Sequence, residues 1–309
     1  MVDVKEIKHV RAAPFTLMNA SIEAILAFIA AIIFVIAFGL VAAFIPQLNA
    51  LGGVLALIGV AVIILAPLTA FFINLMFGFF LALLYNLLAP RVGGIKLGLE
   101  TNNLKEIPVV PLSLITACIS AIIAFIVGLY LALAFTPIFS IISTATPVIA
   151  QAVANATNAT NMTLPTGSAV AAAGWIFALV SIILVPIMVF IFTFIGSALF
   201  AIFYNVLAPR VGDAKLDFAP VSGNIFELIN IPAVPAALIM GVVFAVFGLI
   251  RGIISLITLS MAGNAAGGVV ALITNIIVYF VMYFIIVALI AIFYNMLQPR
   301  IGGVKLDLE

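Results

Sequence analysis

Charged residues are scarce in this chain of 309 residues. Asp, Glu, Lys and Arg together make up 7% of it, whereas soluble globular domains contain about 25%. Apolar residues make up 67%, and the mean hydropathy is +1.48. Too few polar residues remain to cover a water-exposed surface, so a soluble monomer is excluded. The composition therefore predicts an integral membrane protein.

Cysteine and histidine occur once each, as Cys118 and His9. One cysteine excludes an intramolecular disulfide, and one cysteine with one histidine excludes a Cys/His metal cluster. The net charge of +1 excludes a nucleic-acid interface that depends on bulk positive charge. A Gly-rich phosphate loop with its lysine is also missing. We therefore expect no enzyme, no cofactor, no metal site and no nucleic-acid partner.

Long apolar runs dominate the sequence. A helix needs about 20 residues to cross a hydrocarbon layer about 30 Å thick. Six runs are long enough, at about 15–45, 56–88, 112–136, 169–207, 236–260 and 268–297. They are continuous and do not alternate with a period of two, which favours helices over a transmembrane barrel. The sequence therefore predicts an all-α polytopic membrane protein with six transmembrane helices.

One sixteen-residue segment occurs three times. It reads YNLLAPRVGGIKLGLE at 85–100, YNVLAPRVGDAKLDFA at 204–219 and YNMLQPRIGGVKLDLE at 294–309, with eight positions identical in all three. An extended stretch that ends in proline opens each unit, at 7–17, 104–114 and 228–238. The sequence therefore predicts three tandem two-helix repeats, at 1–100, 101–220 and 221–309, the second with a long loop at about 137–168.

The repeated segment is typical of a helix that leaves the membrane and turns into a strand. Tyrosine favours the membrane interface, proline stops a helix, arginine suits a helix C-terminus and glycine permits a sharp turn. The residues of this predicted interface motif are Tyr85, Asn86, Pro90, Arg91, Gly93, Lys96, Tyr204, Asn205, Pro209, Arg210, Gly212, Lys215, Tyr294, Asn295, Pro299, Arg300, Gly302 and Lys305. The alternative function for these residues is a ligand site lined by the three asparagines and the three arginines.

The end of each repeated segment alternates apolar and polar residues, as a half-buried strand does. Between the first two units, KLGLE-TNN-LKEI indicates a strand, a short turn and a second strand. We therefore expect six short strands to form a small sheet on one membrane face.

The order strand, two spans, Tyr-Asn, Gly-Gly, strand resembles a small transmembrane domain of unknown function that is found in actinobacterial and archaeal membrane proteins. The Tyr-Asn pair and the Gly-Gly turn carry the resemblance, and Asp213 replaces the second glycine in the second unit. The resemblance implies the two-span fold for each unit and supplies no activity.

Basic residues indicate the orientation. Ten of the eleven Lys and Arg residues lie in the two tails or in the connectors between units, and Arg251 is the exception. The positive-inside rule therefore predicts a multi-pass protein of the cell membrane with both termini and the sheet in the cytoplasm. The loop on the opposite face contains three consecutive sequons, at Asn155, Asn158 and Asn161, which are candidate glycosylation sites.

Two charged residues fall inside predicted spans, Glu23 and Arg251. Counted from the inner boundary at 1.5 Å per residue, their depths are about 13 and 24 Å. This offset disfavours a direct ion pair, so we expect Arg251 to extend toward the outer interface. The alternative is a pair that crosses the helix bundle.

Two functions remain. The first is a non-catalytic membrane scaffold or assembly subunit, with the cytoplasmic sheet as a docking platform for other membrane or cytoplasmic proteins. The second is a pseudo-threefold channel or carrier for an ion, a small solute or a lipid. The spans lack a sustained polar face, and the 26 phenylalanines suit lipid contact better than a water-filled path. The sequence therefore favours the scaffold.

Overall fold

The computed structural model describes residues 2–45, 52–100, 102–157 and 165–309, without the side chains of 154–157. Among these residues, six helices are long and apolar enough to span a membrane. The helices are α1 (Ala12–Ala43), α2 (Gly52–Val92), α3 (Val109–Thr157), α4 (Gly167–Leu179), α5 (Val185–Val211), α6 (Ala233–Met261) and α7 (Ala265–Ile301). A π-helical turn, Val180–Leu184, joins α4 to α5, so the two form one membrane-spanning helix. The predicted multi-pass helical architecture is confirmed.

Helix α3 is longer than the sequence predicts. It continues to Thr157 through a stretch in which we expected a loop from residue 137, and it contains Pro137 and Pro147. Of the candidate glycosylation sites, Asn155 lies in the last turns of α3, and Asn158 and Asn161 lie outside the described residues.

Seven short strands form one antiparallel sheet. They are β1 (Asp3–Val10), β2 (Lys96–Glu100), β3 (Asn103–Glu106), β4 (Ala214–Lys215), β5 (Asp217–Ser222), β6 (Ile225–Asn230) and β7 (Lys305–Leu308). Their order is β4-β3-β2-β1-β7-β6-β5. The edge strands β4 and β5 are separated only by Leu216, so the sheet curls back on itself. The predicted small sheet is present, and one of its six expected strands is split in two.

The register of the sheet follows the repeated segment. In three strand pairs, the lysine of the segment lies opposite an equivalent residue of the opening strand: Glu6 and Lys96, Asn103 and Lys215, Glu227 and Lys305. A second set of pairs joins successive segments: Leu99 and Leu104, Phe218 and Leu228, Leu308 and Ile7. A register shift accompanies each pair of the second set, and it lies next to Ile7, Leu104 and Leu228. Each opening strand thus contains a β-bulge, which bends the strand at that point.

Contacts divide the chain into two compact units. The first unit, residues 1–112 and 199–309, contains the sheet, α1, α2, α6, α7 and the adjoining ends of α3 and α5. Within it α1 packs on α2 and α6 on α7, and Met18 and Ile22 of α1 contact Tyr294 of α7. The second unit, residues 113–198, is a helical hairpin in which Gly128 lies directly against the carbonyl group of Ser181. No side chain fits at Gly128, which explains the close approach of its two helices.

Candidate functional site

The tyrosine of each repeated segment joins a helix to two strands. Its hydroxyl donates a hydrogen bond to a carbonyl oxygen of the opening strand and accepts one from an amide of the closing strand. For Tyr85, the partners are the Ile7 carbonyl at 2.6 Å and the Ile95 amide at 2.9 Å. The equivalent bonds are Tyr204 to Leu104 (2.6 Å) and Ala214 (3.2 Å), and Tyr294 to Leu228 (2.6 Å) and Val304 (2.9 Å). The tyrosines are 6%, 0% and 4% exposed, so their side chains are buried between the helix ends and the strands.

The asparagine that follows each tyrosine binds the end of the opening strand. The Asn86 side chain donates to the Val10 carbonyl and accepts from the Val10 amide, both at 2.8 Å. Asn205 binds Ile107, and Asn295 binds Ile231, in the same two-bond arrangement at 2.8–2.9 Å. A carboxamide has the donor and acceptor of a peptide group, so it replaces a missing neighbouring strand at this point.

Glycine, and not proline, ends each of these helices. Pro90, Pro209 and Pro299 lie inside their helices, which end two residues later at Val92, Val211 and Ile301. The following glycines have φ angles of +97°, +121° and +81° at Gly93, Gly212 and Gly302. Residues other than glycine rarely adopt a positive φ angle. This backbone conformation reverses the direction of the chain at a helix C-terminus. The turn needs glycine at its first position for this reason.

The second glycine of the turn lacks space for a side chain in two of the three segments. A Cβ atom at Gly94 would collide with the Ile7 carbonyl oxygen, and one at Gly303 with the Leu228 carbonyl oxygen. Their amides donate to the carboxylates of Glu6 (2.9 Å) and Glu227 (2.6 Å). These two glutamates lie on the opening strands, one residue before the carbonyl that binds the tyrosine.

These contacts change the ionisation of both glutamates. The hydrogen bond from Gly94, with help from Lys8 and Lys96, lowers the pKa of the Glu6 carboxyl despite its partial burial. Burial alone would raise the pKa of Glu227, but hydrogen bonds from Gly303 and Gln298 and the charge of Lys305 outweigh it, so this pKa is also lowered. Both carboxyls are therefore held in the charged form.

The second segment has a different carboxylate at this turn. Asp213 occupies the position of the second glycine, and Asn103 occupies the position of the glutamate. The Asp213 carboxylate pairs with Lys105 at 2.5 Å, whereas the equivalent Lys8 pairs with Glu6 at 3.2 Å. The negative charge has thus moved from the opening strand to the turn, and a lysine at the same position still binds it.

The other basic residues of the motif have different surroundings. Lys96 lies 3.9 Å from Glu6, Lys305 lies 3.6 Å from Glu227, and Lys215 is exposed. The three arginines are exposed, and each donates to the carbonyl oxygen one turn earlier in its own helix. The asparagines bind strand backbone instead. The structure therefore brings tyrosine, asparagine and glycine together at each junction. Among the described residues, the asparagines and the arginines bind different partners.

The two intramembrane charges lie on different helices of the first unit. Glu23 is half-buried on α1, and Arg251 is exposed on α6. Over the part of the chain that the structure describes, they form no ion pair with each other. Those residues also include no group of three or more His, Cys, Asp or Glu side chains that could hold a metal ion.

The residues that the motif binds have no distinctive sequence pattern. Ile7, Val10, Glu6 and Glu227 are ordinary residues of an amphipathic strand, and their partners are remote in sequence. The one available signal is a shared spacing: the residues bound by tyrosine and by asparagine are always three apart, as in Ile7 and Val10. No family model, curated protein or solved structure matches this chain, so the geometry is the basis for a functional proposal.

Proposed function

We propose that the chain consists of three tandem two-helix repeats. Three equivalent strand registers support this proposal, as do three equivalent sets of tyrosine and asparagine hydrogen bonds. Each repeat is then one copy of the two-span domain that the motif resembles, with boundaries at 1–100, 101–220 and 221–309. The second repeat differs in its long helical hairpin.

We propose further that the protein is a non-catalytic membrane scaffold or assembly subunit whose sheet binds a partner protein. The observation that carries this proposal is that the tyrosine and asparagine side chains of the motif bind strand backbone. These hydrogen bonds fix the strands to the helix ends and so produce a rigid platform. Apolar side chains are also exposed on the strands, with Val4 50%, Val221 49% and Ile229 42% exposed. Exposed apolar residues on a rigid polar surface suit protein binding.

The channel or carrier is the alternative, and one face of the sheet counts against it. Paired residues share a face of a sheet, and the buried residues Ile7, Leu97, Leu99, Leu104 and Leu308 share one face with Lys5, which pairs with Leu97. This face is mostly apolar, so it offers an ion or a polar solute few polar contacts.

The orientation is part of the same proposal: both termini and the sheet lie in the cytoplasm. With Cys118 replaced by serine, a cysteine at exposed Val221 should be protected from an impermeant thiol reagent in intact cells. A cysteine at exposed Ser168 should react, because Ser168 lies at the start of the membrane-spanning helix that ends at Val211, next to the sheet strands. The reversed pattern would place the sheet outside.

Site-specific photo-crosslinking in the native cells tests the scaffold. A crosslinking residue at Val221 should give a protein adduct of one discrete mass. The matched control is Leu57, which is 73% exposed on α2 and should contact only lipid. Purified protein in liposomes should give no ion or solute flux above empty liposomes. Flux without a discrete adduct at Val221 would favour the channel over the scaffold.

A further inference from the structure

Each arginine of the motif lies in line with exposed apolar side chains of its own helix. Residues four apart share one face of a helix, and the two positions one and two turns before each arginine are apolar and 43–51% exposed. The three stripes are Leu83, Leu87 and Arg91; Ile202, Val206 and Arg210; Ile292, Met296 and Arg300. The arginines therefore lie above surfaces that face the lipid.

The arginines also differ from the lysines in their ionic partners. Lys5, Lys8, Lys96, Lys105 and Lys305 each form an ion pair with a carboxylate. Within residues 2–45, 52–100, 102–157 and 165–309, no arginine forms one. Each motif arginine uses one donor group, Nη1, on the carbonyl oxygen of Leu87, Val206 or Met296. A guanidinium has five N–H donors, so most of its donors remain for an external anion.

We propose that these three stripes are binding sites for anionic phospholipids of the leaflet on the sheet side. The guanidinium of Arg91, Arg210 or Arg300 binds the lipid phosphate, for which its planar donors are suited. The apolar side chains one and two turns deeper contact the acyl chains. The hydrogen bond to the helix carbonyl holds the guanidinium at the helix rim, at headgroup level. This inference does not depend on the scaffold role.

Native mass spectrometry of the full-length protein in detergent tests the proposal, with phosphatidylglycerol as the probe and phosphatidylcholine as the neutral comparison. The wild type should bind three phosphatidylglycerol molecules more tightly than phosphatidylcholine. Arg91→Gln, Arg210→Gln and Arg300→Gln should each weaken one of these three about fivefold, because a basic residue at an anionic surface contributes about 1 kcal/mol. The triple variant should lose the preference for the anionic lipid.

The control variant is Lys215→Gln, which removes an exposed cation from the sheet and should leave all three lipids bound. Thermal unfolding without added lipid verifies that each variant is folded, and the single variants serve if the triple variant is not. A triple variant that keeps its preference for phosphatidylglycerol would disprove the proposal. Competition by soluble glycerol phosphate as strong as that of the intact lipid would also overturn it, because the apolar stripes would then contribute nothing.

Discussion

The hydroxyl group of Tyr204 donates a 2.6 Å hydrogen bond to the carbonyl oxygen of Leu104, 100 residues earlier in the chain. Tyr204 is fully buried, and its oxygen also accepts the amide of Ala214 at 3.2 Å. One side-chain atom thus joins α5, β3 and β4. The equivalent atoms of Tyr85 and Tyr294 join the helices and strands of the other two segments.

Removal of this hydroxyl should destabilise the protein. Tyr204→Phe leaves a buried carbonyl and a buried amide without a partner, which costs about 1–3 kcal/mol. The measurement is the free energy of unfolding in mixed detergent micelles. Tyr130→Phe is the control, because Tyr130 is 70% exposed and should tolerate the change. Equal stability of the two variants would contradict a role for the hydroxyl in holding the sheet.

The second prediction concerns the carboxylate at the turn, which is Glu6 in the first segment and Asp213 in the second. Asp213→Gly removes the partner of Lys105 and should destabilise the sheet. Adding Asn103→Glu gives the second segment the arrangement that Glu6, Gly94 and Lys8 have in the first segment. The double variant should therefore recover much of the lost stability. We expect a coupling energy of about 1 kcal/mol or more, as is found for residues in one hydrogen-bond network. Strictly additive effects in a double-mutant cycle would mean that the two turns are not equivalent.

Acid should weaken the sheet through Glu6 and Glu227. Their pKa values are lowered in the folded protein from an ordinary value of 4.5. Their contribution to stability is therefore complete above that value, and it is lost as the pH falls through the lowered folded-state values. The Glu6→Gln, Glu227→Gln double variant should be less stable at neutral pH, and its melting temperature should fall less on acidification below about pH 4.5.

The control for this pH profile is Glu106→Gln, since Glu106 is exposed on β3. This variant should keep the acid sensitivity of the wild type. If the double variant loses stability with acid as steeply as the wild type does, other groups control the acid transition.

Arg251 should be replaceable. Its side chain is exposed on α6, so Arg251→Leu should leave stability unchanged or raise it, independently of Glu23→Gln. A buried ion pair would behave differently, because loss of one partner leaves an unpaired charge and costs about 3–5 kcal/mol. Thermal stability of the two single variants and the double variant tests this. A coupling above about 1 kcal/mol would refute independence.

The sequence predicted the parts of the fold that depend on local composition. The run that became α2 is long and apolar, and the alternation in KLGLE is that of β2, so both elements could be predicted. The missing amide of Pro90 predicts that α2 ends there, but the helix ends at Val92, before the positive φ angle of Gly93. The glycine turn after the proline, and not the missing amide of the proline, ends the helix. The sequence predicts a loop where α3 continues, because the C-terminal part of this helix contains serine and threonine, which are also common in loops.

By itself, the sequence determined the membrane class, the six helices, the strands and the threefold recurrence of the motif. These properties follow from run length, periodicity and identity along the chain. Only the tertiary structure decided what the motif binds. Tyr85 and Asn86 reach Ile7 and Val10 because α1 and α2 pack side by side and bring residues 78 and 76 positions apart into contact. Short turns join β2 to β3 and β5 to β6, so local sequence specifies those two pairs. The pairs of β1 with β2 and β7, of β3 with β4 and of β6 with β7 join strands that are remote in sequence, and helix packing brings their edges together.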